Sequence, residues 1–146
     1  MPAEDDPDHD ARLHSGGRRP PLGLACPSGR CSISAAPLPQ ARYLVFRALD
    51  DKTTSEPESD AGGYFYGTLA LAFADDPQTI LTYEKNSRPL PVEHGAPLRL
   101  RVETQLGFKM VKYLRAIEVI ADYRSIGEGM GGWREDHQFY DTRAGI

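Results

Sequence analysis

The clearest pattern in the chain lies between residues 97 and 103. Leu98, Leu100 and Val102 alternate with Arg99, Arg101 and Glu103, the period of two that sends successive side chains to opposite faces of a strand. A half-buried strand with two guanidiniums on its polar face is predicted here. The turn His94-Gly95-Ala96-Pro97 precedes it, and Leu106-Gly107-Phe108-Lys109-Met110-Val111-Lys112 follows with two ammoniums. Residues 41–48 alternate in the same way, Tyr43, Val45 and Arg47 against Leu44, Phe46 and Ala48. Residues 64–69 read as a further strand with Tyr64, Tyr66 and Thr68 on one face. Residues 80–84 form a short strand leading to a hairpin turn at Asn86-Ser87. Residues 115–120 form another, with Ile117 and Val119 inward. Helical spacing is brief. Residues 69–75 are Ala/Leu-rich and stop before Pro77, and Phe108, Val111 and Leu114 keep a helical interval for one or two turns. The tail from Gly127 has no period; it is expected to be a loop over the domain, pinned by Trp133, Phe139 and Tyr140. The fold class this predicts is α+β, mostly β.

Composition sharpens the picture in a few places. Twelve prolines and fourteen glycines in 146 residues mean many turns and argue against a helix bundle. The length allows one domain. A net charge of −4 leaves no general nucleic-acid footprint, and no apolar run approaches the roughly 20 residues that cross a bilayer. Residues 1–37 sustain neither period: an acidic, proline-broken PAEDDPDHD is followed by GGRRPPLGLACPSGR. This segment is expected to be disordered, with residues 38–146 as the folding unit and residues 50–63 as a long polar loop. Arg18-Arg19 lacks the apolar core of a twin-arginine signal, and Leu24-Ala25-Cys26 lacks that of a lipoprotein signal, so the compartment stays open. His9 and His14 sit among aspartates as a solvated tail. Cys26 and Cys31 have no partners at zinc-finger spacing; two free thiols are the simpler reading and a disulfide stays open.

The chemistry concentrates at the two ends of the central strand, where four cations and one imidazole gather. Arginine forks a phosphate, lysine adds point charge, and exposed turn N–H groups donate. By residue type alone, a solvated strand face is the simpler account. The order of the residues says more. His94-Gly95-Ala96-Pro97-Leu98-Arg99-Leu100 followed by Leu106-Gly107-Phe108-Lys109-Met110-Val111-Lys112 resembles the C-terminal half of the molybdopterin-binding domain of the sulfite oxidase family, which includes the methionine-sulfoxide-reductase catalytic subunits. The blocks ARYLVFRA, PQTILTYEKN, PLPVEHGAPLRLRV and LGFKMVKYLRAIEVI and a Gly/Trp-rich tail recur in order, extending the resemblance over residues 41–146.

That resemblance implies an incomplete sulfite-oxidase-type fold with a mixed sheet and short helices, and a molybdenum–molybdopterin cofactor. It implies that His94 hydrogen-bonds the cofactor, that Arg99 contacts its pterin or phosphate end, and that Met110, Val111 and Lys112 hold the phosphate. Ala48 falls near a further contact position, while Lys109 and Arg101 are nearby charges without an assigned role. The implied reaction is oxygen-atom transfer to or from a small sulfur oxyanion or sulfoxide, with electrons passing to a haem partner such as a membrane cytochrome b. The chain departs from the family at the metal. The family's molybdenum-ligating cysteine would fall near Leu13, and neither Cys26 nor Cys31 has its surroundings. Catalytic and metal residues are therefore unassigned, and an inactive remnant or small anion-binding module is the alternative. Residues 1–36 are expected to be out-of-frame translation or to follow from a wrongly chosen start, which the upstream coding DNA decides. Half a sheet leaves edges and apolar faces uncovered, so the fragment is expected to be marginally stable and prone to aggregate.

Overall fold

The structure, a computed structural model, describes residues 23–25, 30–34, 39–55, 63–74 and 76–137; for residues 23–25, 30–34 and Ser55 it describes the backbone alone. Leu13, Cys26, residues 56–62 of the polar loop, Phe139 and Tyr140 lie outside the described residues. In chain order the elements are β1 (Gly23–Ala25), β2 (Arg30–Ser34), β3 (Tyr43–Asp51), α1 (Lys52–Ser55), β4 (Tyr64–Ala70), α2 (Leu71–Ala74), β5 (Thr79–Thr82), β6 (Glu84–Lys85), β7 (Arg88–Pro89), β8 (Arg99–Val102), β9 (Leu114–Ile120) and α3 (Trp133–His137). The α+β, mostly β class follows directly.

β3 is the centre. Its alternation buries both faces: Leu44, Phe46 and Ala48 join Leu69, Leu81, Leu100, Val102, Val111, Leu114 and Ile117 in one cluster, while Val45 packs with Tyr66 and Trp133 on the other side. Full burial of a side chain such as Phe46 contributes about 1.5–3 kcal/mol. β4 and β9 flank β3 in one sheet, β1-β2-β5-β8 form a second, and β6-β7 is a hairpin. Asn86 and Ser87 take φ of 54° and 59°, the left-handed pair that a two-residue hairpin turn demands, so Ser87 serves at the position the sequence marked as a turn.

Four expectations need correction. The sheet is not mixed: every pairing among the described residues is antiparallel. Parallel neighbours need a crossover of a dozen residues or more, and the described helices have only four or five residues. Within the arm expected to be disordered, Gly23–Ala25 and Arg30–Ser34 are strands, with Arg30 and Cys31 paired to Thr82 and Leu81. An open edge of β5 offers unpaired N–H and C=O groups, and these residues supply the ladder. Phe108, Val111 and Leu114 do not share a helix: Phe108 lies in a single 3-10 turn, Gly107–Lys109, the chain then leaves helical geometry, and Tyr113 takes a left-handed φ of 54° before β9 begins at Leu114. The tail is not wholly loop, because Trp133–His137 makes a short helix, with Trp133 buried as an anchor.

Candidate anion site

The polar face of β8 is built as the alternation predicts. Leu100 and Val102 are buried, and Arg99 and Arg101 turn the other way. β5 lies beside β8, with Thr82 opposite Arg99 and Ile80 opposite Arg101. His94 closes the 3-10 turn Val92–His94, its N–H donating to the Pro91 carbonyl at 3.0 Å. Arg99 Nη1 donates to the His94 carbonyl at 3.0 Å, which fixes strand and turn together. Lys85 arrives from the β6-β7 hairpin, its Nζ 2.9 Å from His94 Nε2. An ammonium only donates, so His94 Nε2 accepts and the ring hydrogen resides on Nδ1.

These groups line a cavity of about 440 Å³, together with Glu84, Arg101 and Glu103. Arg101 Nε donates to Glu103 Oε1 at 2.7 Å and is neutralised there. Arg99 is different. Burial holds its guanidinium below the ordinary arginine value, and Arg101 lowers it further. Arg99 Nε is buried without a hydrogen-bond partner, and so is the hydroxyl of Thr82 across the register. Buried polar groups left unpaired cost about 1–3 kcal/mol each, so these two atoms are a local cost of the fold, while the charges of Arg99 and Lys85 are what the cavity offers an anion.

Met110 and Lys112 line a neighbouring cavity of about 430 Å³ with Lys52, Phe65, Tyr113 and Arg134. The segment carrying them runs alongside the His94–Leu100 stretch: Tyr113 N donates to Gly95 O at 3.1 Å, Leu100 N to Val111 O at 2.8 Å, and Leu114 N to Leu98 O at 2.9 Å. Gly95 makes this approach possible. Its φ is 106°, and a Cβ there would lie 2.8 Å from Lys112 Cβ. Lys112 Nζ reaches back to the Glu93 carbonyl at 3.3 Å.

The five residues implied as cofactor contacts thus occupy two adjoining segments. His94 and Arg99 face one cavity, Met110 and Lys112 the next, and Val111 is buried in the core between them with its carbonyl bound to Leu100. Ala48 is fully buried opposite Leu114 and lines neither cavity. Lys109 is buried in an ion pair with Glu135 and donates to the Thr68 carbonyl at 3.1 Å, which is a structural role. Thr82, Lys85, Lys52 and Arg134 were not legible as site residues. The first two come into view only through the β5-β8 register and the Asn86-Ser87 turn.

The cations Arg99 and Lys85 beside His94 are of the charge and donor type that fit the phosphate end of a pterin cofactor. Among the described residues, no three His, Cys, Asp or Glu side chains gather as a metal site. The backbone of Cys31 stands in one row with Leu81 and Leu100.

Comparison with known proteins agrees with this chemistry. The family model described as the oxidoreductase molybdopterin binding domain matches residues 31–125, beginning inside the segment expected to lie outside the family. A protein of Azospira oryzae, provisionally named protein-methionine-sulfoxide reductase subunit YedZ1, is 32% identical over 99 residues, which is 68% of this chain and 30% of that protein. Mitochondrial sulfite oxidase of Rattus norvegicus is 43% identical over 80 residues, 53% of this chain and 13% of that enzyme. The nitrate reductase [NADPH] of Fusarium oxysporum is 28% identical over 88 residues, 59% of this chain and 9% of its own length. The chain therefore spans at most about a third of these curated relatives.

Proposed function

Because the chain belongs to the oxidoreductase molybdopterin-binding domain family, we propose that it binds the pterin-phosphate end of a molybdenum–molybdopterin cofactor and works as one portion of a sulfite oxidase-like enzyme. The observation that carries this reading is that Arg99, His94 and Lys85 line one cavity, with the Arg99 guanidinium tied to the His94 carbonyl at 3.0 Å. Arg99 supplies a permanent charge and a directed N–H to a phosphate oxygen. His94, with its ring hydrogen on Nδ1, has a donor left for the pterin. Lys112 and the backbone of residues 110–112 approach from the adjoining cavity, so the ligand would lie across the Gly95 contact that joins the two segments.

When bound, molybdenum supplies oxygen-atom transfer to or from a small sulfur oxyanion or sulfoxide. The contribution of this chain is to hold, orient and neutralise the anionic end. The names of the Azospira and Rattus relatives, a sulfoxide reductase subunit and a sulfite oxidase, support this substrate class. A haem-bearing cytochrome is the corresponding proposal for the electron partner.

The test is to express the chain in a host that makes the cofactor and to assay pterin and molybdenum separately. Pterin bound in proportion to chain, and lost in Arg99→Gln, supports the reading. A chain that binds phosphate but never pterin is an anion-binding module instead.

A further inference from the structure

Lys109 and Glu135 line neither cavity, yet they join the two walls of the second one. We propose that this buried ion pair is a positioning device. It fixes the segment 110–112 against α3, and with it the spacing between Lys112 and Arg134. The proposal rests on the reading above that this segment holds the anionic end of the cofactor, and it gives a role in binding to two residues that touch no ligand.

Three elements meet at the pair. Lys109 ends the Gly107–Lys109 turn, Glu135 sits on α3, and Lys109 Nζ also donates to the Thr68 carbonyl of β4 at 3.1 Å. Met110 follows Lys109 in the chain and Arg134 precedes Glu135, and both of these neighbours line the second cavity with Lys112. The pair therefore ties the cavity walls together from behind. Room for it is built in: a Cβ at Gly132 would lie 2.8 Å from Glu135 Cδ. α3 is itself anchored at buried Trp133 and at Asp136, which accepts from the Tyr66 hydroxyl and from the N–H groups of Glu128 and Met130.

Stability alone does not account for the pair. Both side chains are only 2% exposed. The desolvation of two such charges offsets their attraction, so an apolar pair of similar volume would hold the elements together as well or better. What apolar contact lacks is direction. An ammonium set between a carboxylate and a carbonyl is held to one orientation. The backbone after Lys109 inherits that orientation: Met110 N–H donates to Gly107 O and Val111 N–H to Lys109 O, each at 3.0 Å.

The test compares the full chain with Lys109→Met/Glu135→Met, which makes the pair apolar, and with Glu135→Asp, which keeps the charge and shortens its reach. Each is measured for its urea midpoint, for amide hydrogen exchange of the cofactor-free protein by NMR, and for the molar ratio of pterin to protein after expression in a cofactor-making host. The double variant should keep or exceed the parent's midpoint. Its Met110 and Val111 amides should nevertheless exchange about tenfold faster relative to Leu44 and Phe46 in β3, the scale of coupling between groups in contact, and its pterin ratio should fall severalfold. Glu135→Asp should move exchange and pterin in the same direction by less, and it decides the matter if the double variant does not fold. Parent-like exchange at Met110 and Val111 overturns the proposal, and so does faster exchange with an unchanged pterin ratio; in both cases a parent chain that binds pterin keeps the cofactor reading intact. A parent chain without pterin overturns both.

Discussion

At Gly95 the backbone takes a φ of 106°, and a Cβ would press on the Lys112 side chain at 2.8 Å. Both facts tie one residue to the two-segment site. Gly95→Ala is expected to cost about 1–3 kcal/mol of stability through backbone strain, measured by urea unfolding, and to lower phosphate affinity by displacing Lys112. A second residue makes stability depend on alkaline pH. The Tyr66 hydroxyl donates to Asp136, which also accepts from the N–H groups of Glu128 and Met130. Burial, then Asp136, hold the Tyr66 phenol well above its ordinary value of 10.0. A group raised in the folded state contributes stability that is fully present below its unfolded value and is lost as pH rises past it. Stability should therefore fall above about pH 10, and Tyr66→Phe should reduce that alkaline loss in thermal unfolding at pH 9–11. How far such sites could be read from the chain depended on spacing. Arg99 and its buried neighbours Leu100 and Val102 were legible because period two is local. Thr82 was not, since its place opposite Arg99 exists only once two strands 16 residues apart in sequence have paired.

Among elements, the join between the Gly107–Lys109 turn and α3 is the most exposed to single changes. Lys109 and Glu135 form an ion pair whose side chains are each only 2% exposed. Removing one partner leaves the other charge buried alone, which costs about 3–5 kcal/mol. Glu135→Gln should lower the urea midpoint accordingly, and Glu135→Asp, which keeps the charge, should lower it less. This join was hidden in the sequence for a physical reason. A five-residue helix completes little more than one turn, so α3 shows no period. Phe108, Val111 and Leu114 share a helical interval, but Phe108 stands half-buried on a 3-10 turn and lines the second cavity, while Val111 and Leu114 enter the core from the following loop and from β9. Over seven residues that interval does not separate a helix from other routes to the same core.

Across the whole molecule, the long alternating strand β3 was legible from its sequence, and it organises everything else. Phe46 is fully buried at its centre, and Phe46→Ala should cost about 3–5 kcal/mol, read as a fall in the unfolding midpoint. The charge distribution was less visible. A chain of net charge −4 gathers Lys85, Arg99 and Arg101 on one cavity beside Glu84 and Glu103, and Lys52, Lys112 and Arg134 on the next beside Asp50, a grouping that only folding creates. Strands β1 and β2 were missed because Gly, Pro and Arg in that stretch hide any period, and only the edge of β5, which pairs with β2, and β2 in turn with β1, draws them into a sheet. No helix among the described residues is long and apolar enough to cross a membrane. The central claim is that the two adjoining cavities grip the phosphate end of one pterin. Its most direct measurement is the molar ratio of pterin to protein after expression in a cofactor-making host, for the parent chain and for the double variant Arg99→Gln/Lys112→Gln. A ratio near one for the parent and near zero for the variant is the predicted result. Equal ratios in the two proteins, or no pterin in either, would contradict it.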